Sequence, residues 1–190
     1  MGAVHLPDTP LIKEATTILK AAAPAEVLNH SMRTFLLGKA YGESLRKPFD
    51  EEGLLLAAIF HDLGLCEKHR DTSVPFPAVG SRALKDYLLE RGVARERISP
   101  LCDAIDFHIQ LFPRWSKGEE VGLLQVGAWM DVMGLRKARV REHAREIEAA
   151  WPRLAFDKKF NGLLLGTLKS VPACLGLVFP TLYRSKSKAP

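Results

Sequence analysis

The sequence predicts an all-α protein with a single compact helical domain. Good helix formers recur with a helical period and are interrupted mainly by Gly and Pro, and no run of alternating β-branched residues indicates a strand. The chain of 190 residues has the length of one ordinary domain, and its 47% of hydrophobic residues is enough for a real core. We expect the domain to cover residues 1–185, followed by a frayed basic tail at 186–190.

Eight helices are predicted in chain order, over residues 8–22, 25–42, 51–63, 78–90, 94–109, 119–135, 137–150 and 158–170. Pro24 is placed to open the second helix and Asp50 to cap the third. Gly92 is placed to end the fourth helix. Two longer loops are predicted, over residues 66–80 and 111–118.

Charge and composition exclude several classes of protein. The net charge of +5 permits an anionic ligand, but no basic run is interleaved with aromatic residues, so nucleic-acid binding is not expected. The three cysteines have no metal-type or disulfide-type spacing, and the N-terminus shows no secretory signal, which favours a cytoplasmic protein. The longest uncharged stretch near the C-terminus, residues 170–183, has 14 residues, fewer than the roughly 20 that a membrane span needs. This apolar region could pack over the hydrophobic core or form the interface of a homodimer.

The third predicted helix carries polar residues where apolar ones are expected. Its sequence GLLLAAIFHDLGL is apolar on every side, so the helix belongs in the middle of the protein. His61 and Asp62 lie at its end, on faces that are otherwise filled by hydrocarbon. A buried carboxylate without a partner is costly or takes up a proton, so we expect a compensating group.

The same pattern recurs on three other predicted helices. Apolar stripes lead to His30, His108 and Asp131, and Arg33 follows His30 by almost one turn. Taken singly, each of these residues is compatible with a hydrogen-bonded place in the core. Together they favour a metal site, because imidazole nitrogens and carboxylates suit the coordination and the charge of a divalent ion.

In its order of His30, His61-Asp62 and Asp131, the chain resembles the HD-domain superfamily of metal-dependent phosphohydrolases. The phrases NHSMRTFLLG, LLLAAIFHDLGL, AIDFHIQ and LLQVGAWMDVMG are more similar to the branch that contains cyanamide hydratase and its bacterial relatives. The resemblance covers about residues 25–135 and implies a helical fold of the HD-domain type. It also implies that these four residues bind one divalent metal ion, with zinc or iron as the first candidates and manganese, magnesium or nickel as the others.

Two residues are predicted to act in catalysis, Asp62 and His108. Only His69 and His108 lie between the His-Asp pair and Asp131, and the charged surroundings of His69 indicate exposure. The resemblance implies extra histidines in this interval for dinuclear members of the superfamily, so a single additional core histidine favours a mononuclear site with His108 in the pocket. A second metal ion stays an alternative, for which the sequence assigns no ligands. A divalent ion with an open position lowers the pKa of bound water from about 15.7 to near 7. Asp62 is then placed to accept the water proton, and His108 to donate a proton later.

The two long loops begin just after Asp62 and just after His108, so we expect them to form the rim of the pocket. Aromatic side chains there suit a small or partly apolar substrate, whereas cationic side chains suit phosphate. The predicted substrate-binding residues are Arg33, Lys68, Phe76, Phe112 and Trp115.

The sequence is compatible with three functions. Two of them are enzymes that act on a small-molecule substrate, and the third has no substrate. The first is a metal-dependent hydrolase or hydratase, with hydration of a nitrile-type or cyanamide-type carbon as its most specific version. The second is a phosphohydrolase that acts on a nucleotide or another phosphomonoester. The third is a non-catalytic, metal-binding regulatory module, against which the complete set of ligands argues.

Overall fold

The computed structural model describes residues 4–165, and within them it contains helices and no strand, which confirms the predicted all-α class. The eight α-helices are α1 (Pro10–Ala22), α2 (Ala25–Ser44), α3 (Glu51–Phe60), α4 (Phe76–Leu89), α5 (Arg95–Phe107), α6 (Glu119–Met133), α7 (Arg141–Ala150) and α8 (Phe156–Leu165). Short 3-10 segments lie at Leu63–Leu65, Trp115–Lys117 and Lys137–Val140. None of the helices in this part of the chain is both long and apolar enough to cross a bilayer. Four predictions fall partly or wholly outside the described residues: the domain bounds at 1–185, the helix at 158–170, the uncharged stretch at 170–183 and the tail at 186–190.

Helix boundaries follow the local signals in the sequence. Pro24 is the N-cap of α2 and Asp50 is the N-cap of α3. Gly92, just after α4, has the left-handed backbone (φ 71°) that glycine adopts readily at a helix end. The loop predicted over residues 66–80 is shorter than expected because α4 already begins at Phe76. The first turn of α4 tolerates a proline, since its amide nitrogens have no partner within the helix.

α3 lies at the centre of the domain. All of residues 53–60 are buried, as the apolar sequence on every side of this helix predicts. The helix leads directly into His61 and Asp62, which are 0% and 1% exposed. The fold therefore places the His-Asp pair in the interior.

α2 and α6 cross so closely that no side chain fits between their backbones. A Cβ atom on Gly127 would lie 2.1 Å from the carbonyl oxygen of Thr34, and one on Gly38 would lie 2.7 Å from that of Leu123. Residue numbers rise along α2 as they fall along α6, so the two helices run antiparallel. This crossing brings the beginning of α2 beside the end of α6, and both of these regions carry predicted site residues.

The start of α3 is held by the carboxylate of Asp50. Its Oδ1 accepts a hydrogen bond from the Gly53 amide at 2.9 Å, and Arg97 donates to Oδ2 at 2.6 Å and to Oδ1 at 3.0 Å. Burial acts to raise the pKa of Asp50, but these hydrogen bonds outweigh it and hold the pKa below its ordinary value. The ionised carboxylate therefore stabilises the fold.

We expect Asp50→Asn to remove a pH-dependent part of the stability. Because the pKa is lowered in the folded state, the contribution is fully present above the unfolded pKa of about 3.9 and is lost as the pH falls through the folded value. Urea unfolding of both proteins from pH 7 to pH 3 should show a gap of up to about 1 kcal/mol that closes below about pH 4. A gap that stays constant over this range would contradict the assignment.

Candidate metal centre

Three of the predicted metal ligands meet in one buried cluster. The His61 Nε2 lies 3.2 Å from Asp62 Oδ2, and the His30 Nε2 lies 3.4 Å from the same oxygen. The two Nε2 atoms are 3.2 Å apart. One potential ligand atom from each of the three residues lies within 4.8 Å of the others, and all three residues are buried. Two imidazoles and one carboxylate therefore converge on one point.

His108 brings a third imidazole to the same carboxylate. Its Nε2 lies 3.6 Å from Asp62 Oδ1, the oxygen that does not face the other two histidines. Its ring packs edge-on against the His61 ring, with the centroids 4.9 Å apart. The structure thus places His108 beside the cluster, at the end of α5.

The orientation of two of these rings is set by the backbone of their own helices. The Nδ1 of His61 lies 2.7 Å from the carbonyl oxygen of Ala58, and the Nδ1 of His108 lies 2.6 Å from that of Ile105. A carbonyl oxygen only accepts hydrogen bonds, so each Nδ1 must carry the hydrogen. In the neutral rings, each Nε2 is therefore left with a lone pair that faces Asp62.

Asp131 contacts the other ring nitrogen of His30. Its Oδ2 lies 2.7 Å from His30 Nδ1, and Arg33 donates to both carboxylate oxygens, at 2.8 and 2.9 Å. Arg153 adds a further bond to Oδ1 at 3.2 Å. The structure does not bring Asp131, the fourth predicted ligand, into the three-residue cluster. Its carboxylate instead orients His30, which leaves the Nε2 of that ring to face Asp62.

The electrostatics of the site favour the ionised form of Asp62 and the neutral form of His61, which are the forms that bind a metal ion, but they favour the protonated form of His30. Burial acts to raise the pKa of Asp62, but the surrounding imidazoles outweigh it and hold that pKa well below its ordinary value. Burial likewise opposes ionisation of Asp131, yet His30 and Arg33 lower its pKa. Burial lowers the pKa of His61, which keeps this imidazole neutral. For His30, burial acts to lower the pKa, but the two carboxylates raise it.

The residues present fit a divalent cation. Both carboxylate oxygens of Asp62 are buried and have no hydrogen-bond partner. Buried polar atoms in folded proteins are nearly always satisfied, so an unpartnered carboxylate indicates a missing positive group. Two imidazole nitrogens and a carboxylate are donors that zinc and iron accept well.

Two of the five predicted substrate-binding residues lie at the centre. The Phe76 ring is buried and packs edge-on against His108, with centroids 5.7 Å apart. Arg33 is buried as well, but its guanidinium is engaged by Asp131 and by the carbonyl oxygens of residues 151 and 152. Phe76 is therefore the predicted residue that packs directly against a histidine of the site.

The structure does not bring the other three to the cluster. Lys68 is exposed, and the ring of Phe112 is 70% exposed. Trp115 packs under the ammonium group of Lys47, with 4.9 Å from Nζ to the ring centroid. Lys47 follows the end of the 20-residue helix α2, whereas His30 lies near its beginning, so roughly 20 Å of helix separates them.

Sequence reasoning missed the aromatic residues of α8. Phe156 stacks on the His30 ring with centroids 4.6 Å apart and an interplanar angle of 24°. Phe160 stacks on Phe156 at 4.9 Å. The two phenylalanines are four positions apart, and this spacing in the sequence already indicates that both rings lie on one face of a helix. No pattern in the sequence indicates that Arg153 contacts Asp131.

A comparison with protein families is consistent with this geometry. A family model described as HD domain matches residues 27–150. The matched segment begins in α2 and ends with α7, so it includes the whole histidine and aspartate cluster but not α8. No curated protein matches the chain.

Proposed function

Because the chain belongs to the HD domain family, we propose that it is a metal-dependent hydrolase that acts on a small molecule. The observation that carries this proposal is the convergence of three imidazole Nε2 atoms on the carboxylate of Asp62, whose buried oxygens have no hydrogen-bond partner. Burial of a carboxylate without a hydrogen-bond partner is unfavourable for folding, and a bound cation would offset this cost.

Each residue of the site has a distinct proposed role. His30, His61 and Asp62 would hold the divalent ion, which would supply an acidified water and polarise the bond that this water attacks. Asp131 orients His30 through Nδ1. The Oδ1 atom of Asp62 faces His108 at 3.6 Å, so a proton taken up at this carboxylate can pass to His108 Nε2, and then to the leaving group in a hydrolysis or to the substrate nitrogen in a hydration.

The surroundings of the cluster support an uncharged substrate. Arg33 and Arg153 use their donors on Asp131 and on backbone carbonyl oxygens. Phe76 and Phe156 are buried against the histidine rings. Hydration of a nitrile-type or cyanamide-type carbon is the most specific version of this proposal. It rests on the four sequence phrases, together with buried aromatic rings and with cationic groups that are already paired.

A phosphohydrolase is the second candidate. The HD domain family favours it, and so do the net charge of +5 and the exposed Lys68 on the loop that follows Asp62. A phosphomonoester would have to make its cationic contacts with that loop and with the metal ion, because the guanidinium groups of Arg33 and Arg153 already bind Asp131 and backbone carbonyl oxygens.

The two candidates are separated by one activity screen. The purified chain, reconstituted in turn with zinc, iron(II) and manganese, is offered small nitriles, cyanamide and amides in one panel and nucleoside monophosphates in another. We expect an amide from the nitriles, urea from cyanamide or ammonia from the amides in the first panel, and no phosphate from the second. His108→Gln should keep the metal content and lower turnover by about 10²- to 10⁴-fold, because it removes an acid-base group but no proposed ligand.

Each other outcome of the screen points to a different function. Phosphate release alone would replace the proposal with the second candidate. Full metal binding without turnover in either panel would favour the regulatory module. Full activity in His108→Gln would remove this residue from the catalytic group.

A further inference from the structure

The helix α8 places two aromatic rings against the candidate metal centre, although it lies beyond the residues that match the HD domain. Phe156 stacks on the His30 ring at 4.6 Å. Phe160, one turn later, stacks on Phe156 at 4.9 Å and lies 5.7 Å from the His30 ring. Phe156 and Phe160 thus form an aromatic wall beside the cluster.

The two rings of the aromatic wall differ in exposure. Phe156 is 1% exposed and has the guanidinium groups of Arg33 and Arg153 over its ring, at 5.5 and 5.2 Å. Its surface is therefore taken up by packing. Phe160 is only half-buried, and its ring centroid lies 5.7 Å from that of His30. Of the two rings, Phe160 is therefore the one whose surface is not fully taken up by packing.

A partly exposed aromatic ring beside a metal-binding imidazole can select ligands by shape. Aromatic faces prefer offset stacking on flat groups, with centroids about 4.5–7 Å apart. A puckered, saturated group of the same size cannot approach the ring over its whole face. Since Arg33 and Arg153 are both engaged by Asp131, this part of the site discriminates by flatness and apolar contact and not by charge.

We propose that Phe160 is a specificity-determining residue and that the substrate carries a flat, unsaturated, uncharged group that stacks on its ring. Phe156 holds this ring in place from behind. The proposal rests on the proposed hydrolase function, because it assigns the substrate of that same site.

The test uses two probes that differ in flatness, benzamide and cyclohexanecarboxamide. NMR titration of the zinc-loaded chain gives the dissociation constant of each. We expect benzamide to bind more tightly by roughly three- to tenfold, the range that an aromatic pair contributes. Phe160→Leu keeps the apolar bulk but loses the ring face, so it should abolish this preference and leave the zinc content unchanged. Phe112→Leu is the matched control, since this ring is 70% exposed on another loop, and it should keep the preference.

Two results would overturn the assignment of Phe160. One is equal affinity for both probes in the wild-type chain with zinc bound, and the other is a preference that survives in Phe160→Leu. A second readout needs neither probe nor activity: the ring protons of His30 should shift in the NMR spectrum of Phe160→Leu, and unchanged resonances would also overturn it. Failure of the wild-type chain to bind zinc or to hydrolyse any substrate would count against the hydrolase function instead.

Discussion

Asp62→Ala is expected to abolish metal binding. Asp62 provides the only carboxylate in the three-residue cluster, and both of its oxygens face imidazole nitrogens. Loss of a direct ligand should cost more than the roughly 10- to 100-fold in affinity that loss of an outer partner costs. Elemental analysis after reconstitution should find close to one ion per wild-type chain and almost none in the variant. In thermal unfolding, zinc at 100 times its dissociation constant should add about 2.7 kcal/mol to the wild type and nothing to Asp62→Ala.

The control for this experiment is Asp103→Ala. Asp103 is a half-buried carboxylate on α5 that pairs with Lys117 at 3.4 Å and does not contact the cluster residues. This variant should keep the metal content and the zinc-dependent stabilisation of the wild type. Wild-type metal content in Asp62→Ala would show that the ion binds elsewhere and would remove the basis of the proposed function.

Asp131→Ala is expected to lower the free energy of unfolding by about 3–5 kcal/mol. The substitution leaves the guanidinium of Arg33, which is 1% exposed, without the carboxylate that binds it at 2.8 and 2.9 Å. It also removes the acceptor of the His30 Nδ1 hydrogen, so the metal affinity should fall by about 10- to 100-fold. Denaturant unfolding measures the first effect, and competition with a chelator measures the second.

Two further variants isolate the buried pair. Asp157 is 78% exposed and binds Arg153 at 2.7 Å, so Asp157→Ala should cost less than about 1 kcal/mol. The double variant Arg33→Met with Asp131→Leu should recover much of the stability lost in Asp131→Ala, because no buried charge remains unpaired. A loss below about 1 kcal/mol in Asp131→Ala would contradict the buried network. A loss of metal as complete as in Asp62→Ala would show that Asp131 binds the ion directly, as the sequence resemblance implies.

The helices and the identity of most cluster residues were readable from the sequence because both depend on local patterns. Helix periodicity and caps such as Asp50 involve residues only a few positions apart. A helix that is apolar on every side belongs in the middle of the domain, and the buried polar residues His61 and Asp62 at its end therefore need a partner group. His30 and His108 are predicted to be buried in the same way, because each follows apolar residues along one face of its own helix. Local chemistry therefore sufficed to predict the fold class and a buried histidine and aspartate site.

Only the tertiary structure decided which atoms meet. Periodicity places Asp131 on a buried face, but the close crossing of α2 and α6 determines that its carboxylate reaches His30 Nδ1 and not the cluster around Asp62. The packing of Trp115 beneath Lys47, and the approach of Phe156 to a histidine 126 positions earlier in the chain, likewise depend on how helices are arranged in space. Contacts between distant helices are set by packing across the whole domain, and a local pattern in the sequence does not contain that information.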